Sequence, residues 1–237
     1  MSDMYNRITF PLDLDPESIT VFINKEHALS NAYIPRDLTK PNVTFDELEF
    51  SEKQLLRQEA SLALEALFNN ALKCDLTLYA VSGFRSYNRQ YDIFTSNLIQ
   101  KGREHTLKYS AVPGTSEHQS GLAMDISCST INFELDEVFD STPEGIWLAE
   151  NSYKEGFIIR YPKDKVDITG YEYEPWHIRY VGKVLADFLY ENSLSLEEYY
   201  NYTPSDDFDF FIKYFKILNC TLPFTIEDTD YNEDRTE

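Results

Sequence analysis

Hydrophobic and polar residues alternate with two periods along this chain, one typical of helices and one typical of strands. After Ser51 the apolar residues recur at helical spacing. Ser51 and Gln54 match a capping-box pattern, which predicts that a helix begins there. Helices are predicted at five places: roughly 51–74, 87–102 with Gly102 ending the pattern, about 143–153, 183–192, and part of 195–220.

A period of two residues predicts strands. In LAMDIS, at 122–127, the apolar side chains of Leu122, Met124 and Ile126 fall on one face, and Ala123 and Asp125 fall on the other. Further strands are predicted at 19–27, 76–84, 157–162 and 175–182. Because no internal repeat and no linker interrupts these elements, we expect one α+β domain.

Composition supports a sizeable core, since 42% of the residues are hydrophobic and 15% are aromatic. The formal net charge of −20 argues against nucleic-acid and anionic-membrane partners, because phosphates would be repelled. Part of that charge is local: the last twelve residues hold six acids and one arginine, which predicts a disordered end. We therefore assign residues 1–200 to the domain and 201–237 to a C-terminal extension, which either packs on the domain or makes a homodimer contact.

The three cysteines, Cys74, Cys128 and Cys220, are odd in number and widely spaced, so neither a disulfide framework nor a zinc ribbon is indicated. The N-terminus lacks the basic and then apolar pattern of a signal peptide. No apolar run reaches the length of a membrane span. These features predict a cytoplasmic protein, or an extracytoplasmic one if an export signal has been removed from the sequence.

Two of the four histidines lie in strand-like segments beside carboxylates: His118 with Asp125, and His177 with Glu174. Two imidazoles and a carboxylate around an open fourth position make a catalytic zinc site, and a further carboxylate can act as general base. His118, Asp125 and His177 can supply the ligands, which leaves Glu174 as the base. An offset of three places Glu174 and His177 on opposite faces of a regular strand, so this interpretation requires a bend, which Pro175 favours.

Three motifs stand out in the chain: SGFRSYNRQ at 82–90, PGTSEHQSGLAMDI at 113–126 and EPWHIRYVG at 174–182. In order and in spacing they resemble the VanY-type D-alanyl-D-alanine carboxypeptidases, zinc metallopeptidases grouped with the VanX and VanXY enzymes. The family pattern Ser-x-His-x-x-Gly-x-Ala-x-Asp followed by Glu-x-x-His is filled at every fixed position. The resemblance spans roughly residues 19–200. It implies a single α+β domain with a central, mainly antiparallel sheet flanked by helices and a zinc site on the sheet.

The same resemblance implies site residues. One Zn²⁺ would be bound by His118, Asp125 and His177, with Glu174 as the catalytic base. The ligand types of a catalytic zinc site indicate the same four residues without the resemblance.

Arg85 resembles the family arginine that stabilises the oxyanion of the tetrahedral intermediate. A fixed guanidinium aimed at developing negative charge is a common electrostatic device in catalysis. Ser116 and Gln90 match family positions that help to hold the terminus of the peptide substrate.

The implied reaction removes the C-terminal D-Ala from peptidoglycan precursors that end in D-Ala-D-Ala. A D,D-dipeptidase activity, as in VanXY-type enzymes, would connect the protein to cell-wall metabolism and to resistance to vancomycin and other glycopeptides. The substrate would be a D-Ala-terminated dipeptide or stem peptide. An L,D-carboxypeptidase that trims tetrapeptide stems is the alternative among enzymes.

Two other classes compete with this interpretation. A non-catalytic, zinc-binding module for cell-wall recognition would need neither Glu174 nor Arg85, so both residues argue against it. Serine D,D-peptidases use a Ser-x-x-Lys motif, which is absent from this sequence, as is the Gly-x-Ser-x-Gly elbow.

Overall fold

The protein is described by a computed structural model over residues 10–204, and these residues belong to one structural unit. The predictions for the acidic end and for a helix beyond residue 204 lie outside the described residues, as does Cys220. Cys74 and Cys128 are free thiols. Within residues 10–204, no helix has the length and apolar character needed to cross a bilayer.

Two antiparallel sheets form the frame of the domain. The smaller pairs β1 (Leu38–Thr39) with β2 (Leu56–Arg57). The larger has four strands in the order β3-β4-β6-β5, and each neighbouring pair is antiparallel. Its strands are β3 (Tyr79–Ser82), β4 (Ala123–Ser127), β5 (Phe157–Tyr161) and β6 (Glu174–Tyr180). The predicted α+β fold with a central antiparallel sheet is therefore confirmed.

Helices flank this sheet. They are α1 (Gln58–Leu72), α2 (Tyr87–Tyr109), α3 (Pro143–Asn151), α4 (Val166–Thr169), α5 (Lys183–Asn192) and α6 (Leu196–Tyr199). The main core contains the buried face of α1 together with Leu122, Met124 and Ile126. The predicted alternation in β4 is thus confirmed, and it leaves Asp125 on the face opposite the core side chains.

The first helix begins later than predicted, at Gln58, and the capping box is absent. The Ser51 side chain caps nothing, and Gln54 instead accepts a hydrogen bond of 2.8 Å from Lys40. Leu56–Arg57 is extended because it pairs with β1. Leu56, which fits the helical spacing, is therefore buried as part of a strand and not of the helix.

The prediction that Gly102 ends the helix beginning near residue 87 is confirmed, because Gly102 has φ +77° and ψ 170°, outside helical geometry. A further helical stretch follows to Tyr109, and α2 comprises both stretches. Glycine adopts this conformation without steric cost, so the chain resumes a helix beyond it.

The strand predicted at 19–27 is wrong. Apart from an isolated bridge between Asn24 and His27, this segment joins no sheet. Its carbonyl groups are bound by arginine side chains instead: Nη2 of Arg179 donates to the carbonyl of Val21 at 2.9 Å, and Nη2 of Arg160 donates to that of Ile23 at 3.4 Å. Hydrogen bonds from two buried guanidinium groups thus replace those of a neighbouring strand.

Candidate metal centre and active site

Three elements bring His118, Asp125 and His177 together. His118 lies in the 3-10 turn Glu117–Ser120, and Asp125 lies in β4. His177 lies in β6, directly opposite Asp125 in the antiparallel register. The chain reverses between the turn and β4 at Gly121, whose φ of +67° favours glycine.

The donor atoms of these three buried residues lie within 4.8 Å of one another. Nε2 of His118 is 3.4 Å from Oδ2 of Asp125, and Nδ1 of His177 is 2.9 Å from Oδ1 of the same carboxylate. Tetrahedral zinc with bonds of about 2.0–2.1 Å requires ligand atoms roughly 3.3–3.5 Å apart. The 3.4 Å separation and the chemistry of the donors fit a zinc ion, whereas the 2.9 Å separation is that of a hydrogen bond between His177 and Asp125 in the metal-free cluster.

His118 is oriented by the loop that follows β3. Its Nδ1 lies 2.8 Å from the carbonyl oxygen of Gly83, which can only accept, so Nδ1 carries the proton and Nε2 is left for a metal. In return, the backbone N–H of Arg85 donates to the carbonyl of His118 at 3.1 Å. The loop and the turn thus fix each other.

The electrostatics suit a metal-binding cluster. Burial raises the pKa of Asp125, but the charges and hydrogen bonds of His118 and His177 outweigh it and hold that pKa well below its usual range. Burial lowers the pKa of His118, which favours the neutral imidazole. Burial also disfavours charge on His177, yet the carboxylates of Asp125 and Glu117 beside its ring raise its pKa to about 9. A metal must therefore displace a proton from His177.

An irregularity in β6 places Glu174 beside His177. Between the pairs Ile159–Ile178 and Tyr161–Glu174, β5 advances two residues while β6 advances four. This bulge provides the bend that the sequence interpretation required. Oε2 of Glu174 lies 3.9 Å from Nδ1 of His177. Burial raises the pKa of Glu174 to about 7, and His177 opposes that shift.

Arg85 lies close enough to the carboxylates of Asp125 and Glu174 for their charges to oppose the lowering of its pKa by burial. Its guanidinium is held on two sides, since Nη1 donates to Oε1 of Gln90 at 2.8 Å and Nη2 donates to Oγ of Ser82 at 3.1 Å. Nε2 of Gln90 donates to the carbonyl of Ala111 at 2.6 Å.

Both ends of the Gln90 amide are thus engaged within the protein, and one of them holds Arg85. Ser116 is buried and immediately precedes the turn that carries His118. Substrate contacts by Gln90 and Ser116 stay predictions, as do the catalytic roles of Glu174 and Arg85.

Four charged residues behind the cluster were missed by the sequence analysis. Oε1 of Glu117 accepts from Nε of Arg160 and from Nη1 of Arg179, each at 2.8 Å. The outer nitrogens of Arg160 donate to Glu197 at 2.9 and 2.7 Å. All four side chains are fully buried, and two carboxylates balance two guanidinium groups. The signal was an arginine inside each of two otherwise apolar strands, FIIRYP and HIRYVG.

Residues 53–183 match the model of a protein family described as VanY: D-alanyl-D-alanine carboxypeptidase. Among curated relatives, the Bacillus subtilis (strain 168) protein named "Putative carboxypeptidase YodJ" is 51% identical over 186 residues, which cover 78% of this chain and 68% of YodJ.

Two solved structures are also similar. One is the LdcB LD-carboxypeptidase, with 50% identity and a TM-score of 0.76, covering 80% of this chain and 88% of LdcB. The other is a variant of the D,D-pentapeptidase VanY from a VanB-type resistance cassette in complex with Zn(II), with 32% identity and a TM-score of 0.63, covering 78% of this chain and 99% of that one.

Proposed function

Because the chain belongs to the VanY D-alanyl-D-alanine carboxypeptidase family, we propose that it is a zinc-dependent carboxypeptidase that releases the C-terminal D-alanine of peptidoglycan stem peptides. One observation carries the proposal: the buried carboxylate of Glu174 lies beside the His118–Asp125–His177 cluster without belonging to it. A purely structural zinc site has no need for such a group.

Zinc bound by two imidazoles and a carboxylate would polarise the scissile carbonyl and lower the pKa of a water molecule at the open position. Glu174 is suited to take the proton from that water, because burial places its pKa near neutrality. The protonated carboxyl group would then donate its proton to the departing amine of D-alanine.

Arg85 would donate hydrogen bonds to the oxygen on which negative charge develops. Its guanidinium is already oriented by Gln90 and Ser82, so little reorganisation accompanies the reaction. The loop at 83–85 therefore serves two purposes: Gly83 orients the ring of His118, and Arg85 faces the reacting carbonyl.

For the substrate, we favour the tetrapeptide stem, in which D-alanine follows an L-centre. The LdcB LD-carboxypeptidase is 50% identical to this chain, whereas the D,D-pentapeptidase VanY is 32% identical. The second candidate is the D,D-carboxypeptidase reaction on stems ending in D-Ala-D-Ala, which the family match itself favours. The free D-Ala-D-Ala dipeptide is the smallest substrate of that second class.

The decisive experiment measures D-alanine release by the zinc-loaded protein from tetrapeptide, pentapeptide and D-Ala-D-Ala dipeptide under identical conditions. We expect the highest kcat/KM for the tetrapeptide. A higher value for the pentapeptide or dipeptide would reassign the specificity to the second candidate. Zinc binding without release of D-alanine from any of the three would leave the non-catalytic recognition module as the better interpretation.

A further inference from the structure

Glu117, next to His118 in the chain, reaches the far side of the other histidine. Oε2 of Glu117 lies 3.5 Å from Nε2 of His177. Both atoms are buried, and neither makes a hydrogen bond within residues 10–204, so the contact between them is that of an ion pair. The two atoms left without a partner therefore face each other, on the side of the ring away from Asp125.

The position of the Glu117 carboxylate is fixed from its other oxygen. Oε1 accepts from both Arg160 and Arg179, whose side chains are fully buried. A side chain held by two charge-assisted hydrogen bonds has little freedom to turn. Oε2 is the atom that this network does not use, and it is the atom that faces His177.

The other contacts of His177 do not leave Nδ1 free for a metal. Tyr161 stacks on the ring with centroids 5.1 Å apart, which restrains the plane of the imidazole. Asp125 lies 2.9 Å from Nδ1 and accepts its proton in a hydrogen bond. Nδ1 is also the nitrogen that a metal in the cluster would bind, so this hydrogen bond competes with the metal. Only an acceptor at Nε2 leaves Nδ1 free of its proton.

We propose that Glu117 is a positioning residue that accepts the Nε2–H of His177 and so presents Nδ1 to the zinc ion. This inference rests on the proposed function, because it assumes that the cluster binds zinc. Carboxylates that receive the second N–H of a ligating histidine fix its tautomer and increase its basicity, and their loss typically costs about 10- to 100-fold in metal affinity. One short turn thus supplies one ligand, His118, and the support for another.

Glu117→Gln is the variant that tests this role most directly, because it replaces the acceptor facing Nε2 of His177 with a donor. Both arginines can only donate, so the amide oxygen must face them and the NH₂ group must face Nε2 of His177. His177 would then accept at Nε2 and carry its proton on Nδ1, the atom needed for the metal. We expect the Kd for zinc to rise about 10- to 100-fold.

Glu197→Gln is the matched control, because Glu197 is buried in the same network and binds Arg160. The experiment measures the Kd for zinc by chelator competition, the Co²⁺ absorption spectrum, and the melting temperature of each metal-free variant. Both variants should lower the melting temperature, but only Glu117→Gln should weaken zinc binding and alter the Co²⁺ spectrum. An equal effect of the two variants on the Kd would overturn the positioning role and leave a structural one.

If Glu117→Gln does not fold, the tautomers of the two histidines can be measured on the unaltered protein instead. In ¹⁵N–¹H spectra of the zinc-loaded chain, the two ligating histidines should show opposite tautomers: Nδ1–H for His118, which donates to Gly83, and Nε2–H for His177. A protonated Nδ1 on zinc-bound His177 would overturn the inference. If the unaltered protein binds no zinc, the metal assignment in the proposed function fails as well. If it binds zinc and shows these tautomers but releases no D-alanine, only the proposed activity fails.

Discussion

Arg85 and Gln90 are joined by a hydrogen bond of 2.8 Å from Nη1 of the guanidinium to Oε1 of the amide. The same amide donates to the carbonyl of Ala111 at 2.6 Å, so Gln90 links the guanidinium to the chain that follows α2. A guanidinium held in this way is oriented before any substrate arrives. Such preorganisation is what makes an oxyanion donor effective.

Replacement of Gln90 by alanine tests whether this residue holds Arg85 or the substrate. If it holds Arg85, kcat should fall about 10- to 100-fold with little change in KM, because the guanidinium is misplaced. A rise in KM with unchanged kcat would instead support the substrate contact predicted from the sequence. Steady-state kinetics on the preferred stem peptide separate the two outcomes.

Arg85→Lys should lower kcat about 100- to 1,000-fold, because a single ammonium group cannot reproduce the two-sided hold and the directed hydrogen bonds of the guanidinium. Zinc content should not change, since Arg85 contributes only its backbone N–H to the turn of His118. The exposed Arg89 offers the matched control as Arg89→Lys, which should leave kcat unaltered. Loss of zinc from Arg85→Lys would contradict the assigned role.

Glu174→Gln should remove the general base and lower kcat about 100- to 10,000-fold. Zinc should stay bound with unchanged stoichiometry, because the proposed ligands are His118, Asp125 and His177. Turnover and metal content must be measured on the same preparation, with Glu172→Gln as the neighbouring control. A zinc-free Glu174→Gln protein would mean that the roles of Glu174 and a ligand have been exchanged.

The pH dependence follows from the same carboxyl group. Glu174 acts as a base only when ionised, and burial raises its pKa to about 7 in the metal-free site. A zinc cation nearby lowers that pKa, so kcat/KM should decline on the acid side at or below pH 7. Zinc occupancy must be monitored at each pH, because protons compete for His177, whose pKa is raised to about 9 without metal. A profile with no decline on the acid side at any pH where zinc stays fully bound would contradict the assignment.

Gly121→Ala should destabilise the fold more than Gly170→Ala does. Both glycines are in the left-handed region, with φ of +67° and +74°, which alone costs an alanine about 1–2 kcal/mol. At Gly121 the added Cβ would also lie 2.8 Å from Cδ2 of Leu38, whereas at Gly170 the nearest atom is 3.5 Å away. The free energy of unfolding from urea titrations of both variants checks this order. Equal losses would show that the contact with Leu38 relaxes without cost.

Much of the large sheet was predictable, because its strands are short apolar or alternating runs with glycine or proline nearby. The error at 19–27 has a clear physical cause: the apolar run around Val21 is buried, but its carbonyls are satisfied by Arg160 and Arg179. No local pattern reveals hydrogen bonds from side chains more than a hundred residues away. The delayed start of α1 has a similar cause, since pairing of Leu56–Arg57 with β1 overrides local helical spacing.

For the site, the motifs identified the residues that the fold brings together, His118, Asp125 and His177, along with Glu174 beside them. The sequence could not show that Glu117 points away from His118 toward His177, because that direction depends on the geometry of a four-residue turn. Nor could it show that Gln90 is engaged at both ends.

The register that sets Asp125 opposite His177 would also couple metal supply to the lifetime of the folded chain if the cluster binds zinc as proposed. The two residues become neighbours only when β4 and β6 pair, so the binding site does not exist in the unfolded polypeptide. Zinc bound by both His118 and His177 would link two residues that lie 59 positions apart in the sequence. Free zinc at about 1,000 times its Kd would add about 4 kcal/mol to the free energy of unfolding. Zinc starvation would thus expose the polypeptide to proteolysis as well as stop turnover, which makes protein abundance a second readout of metal status.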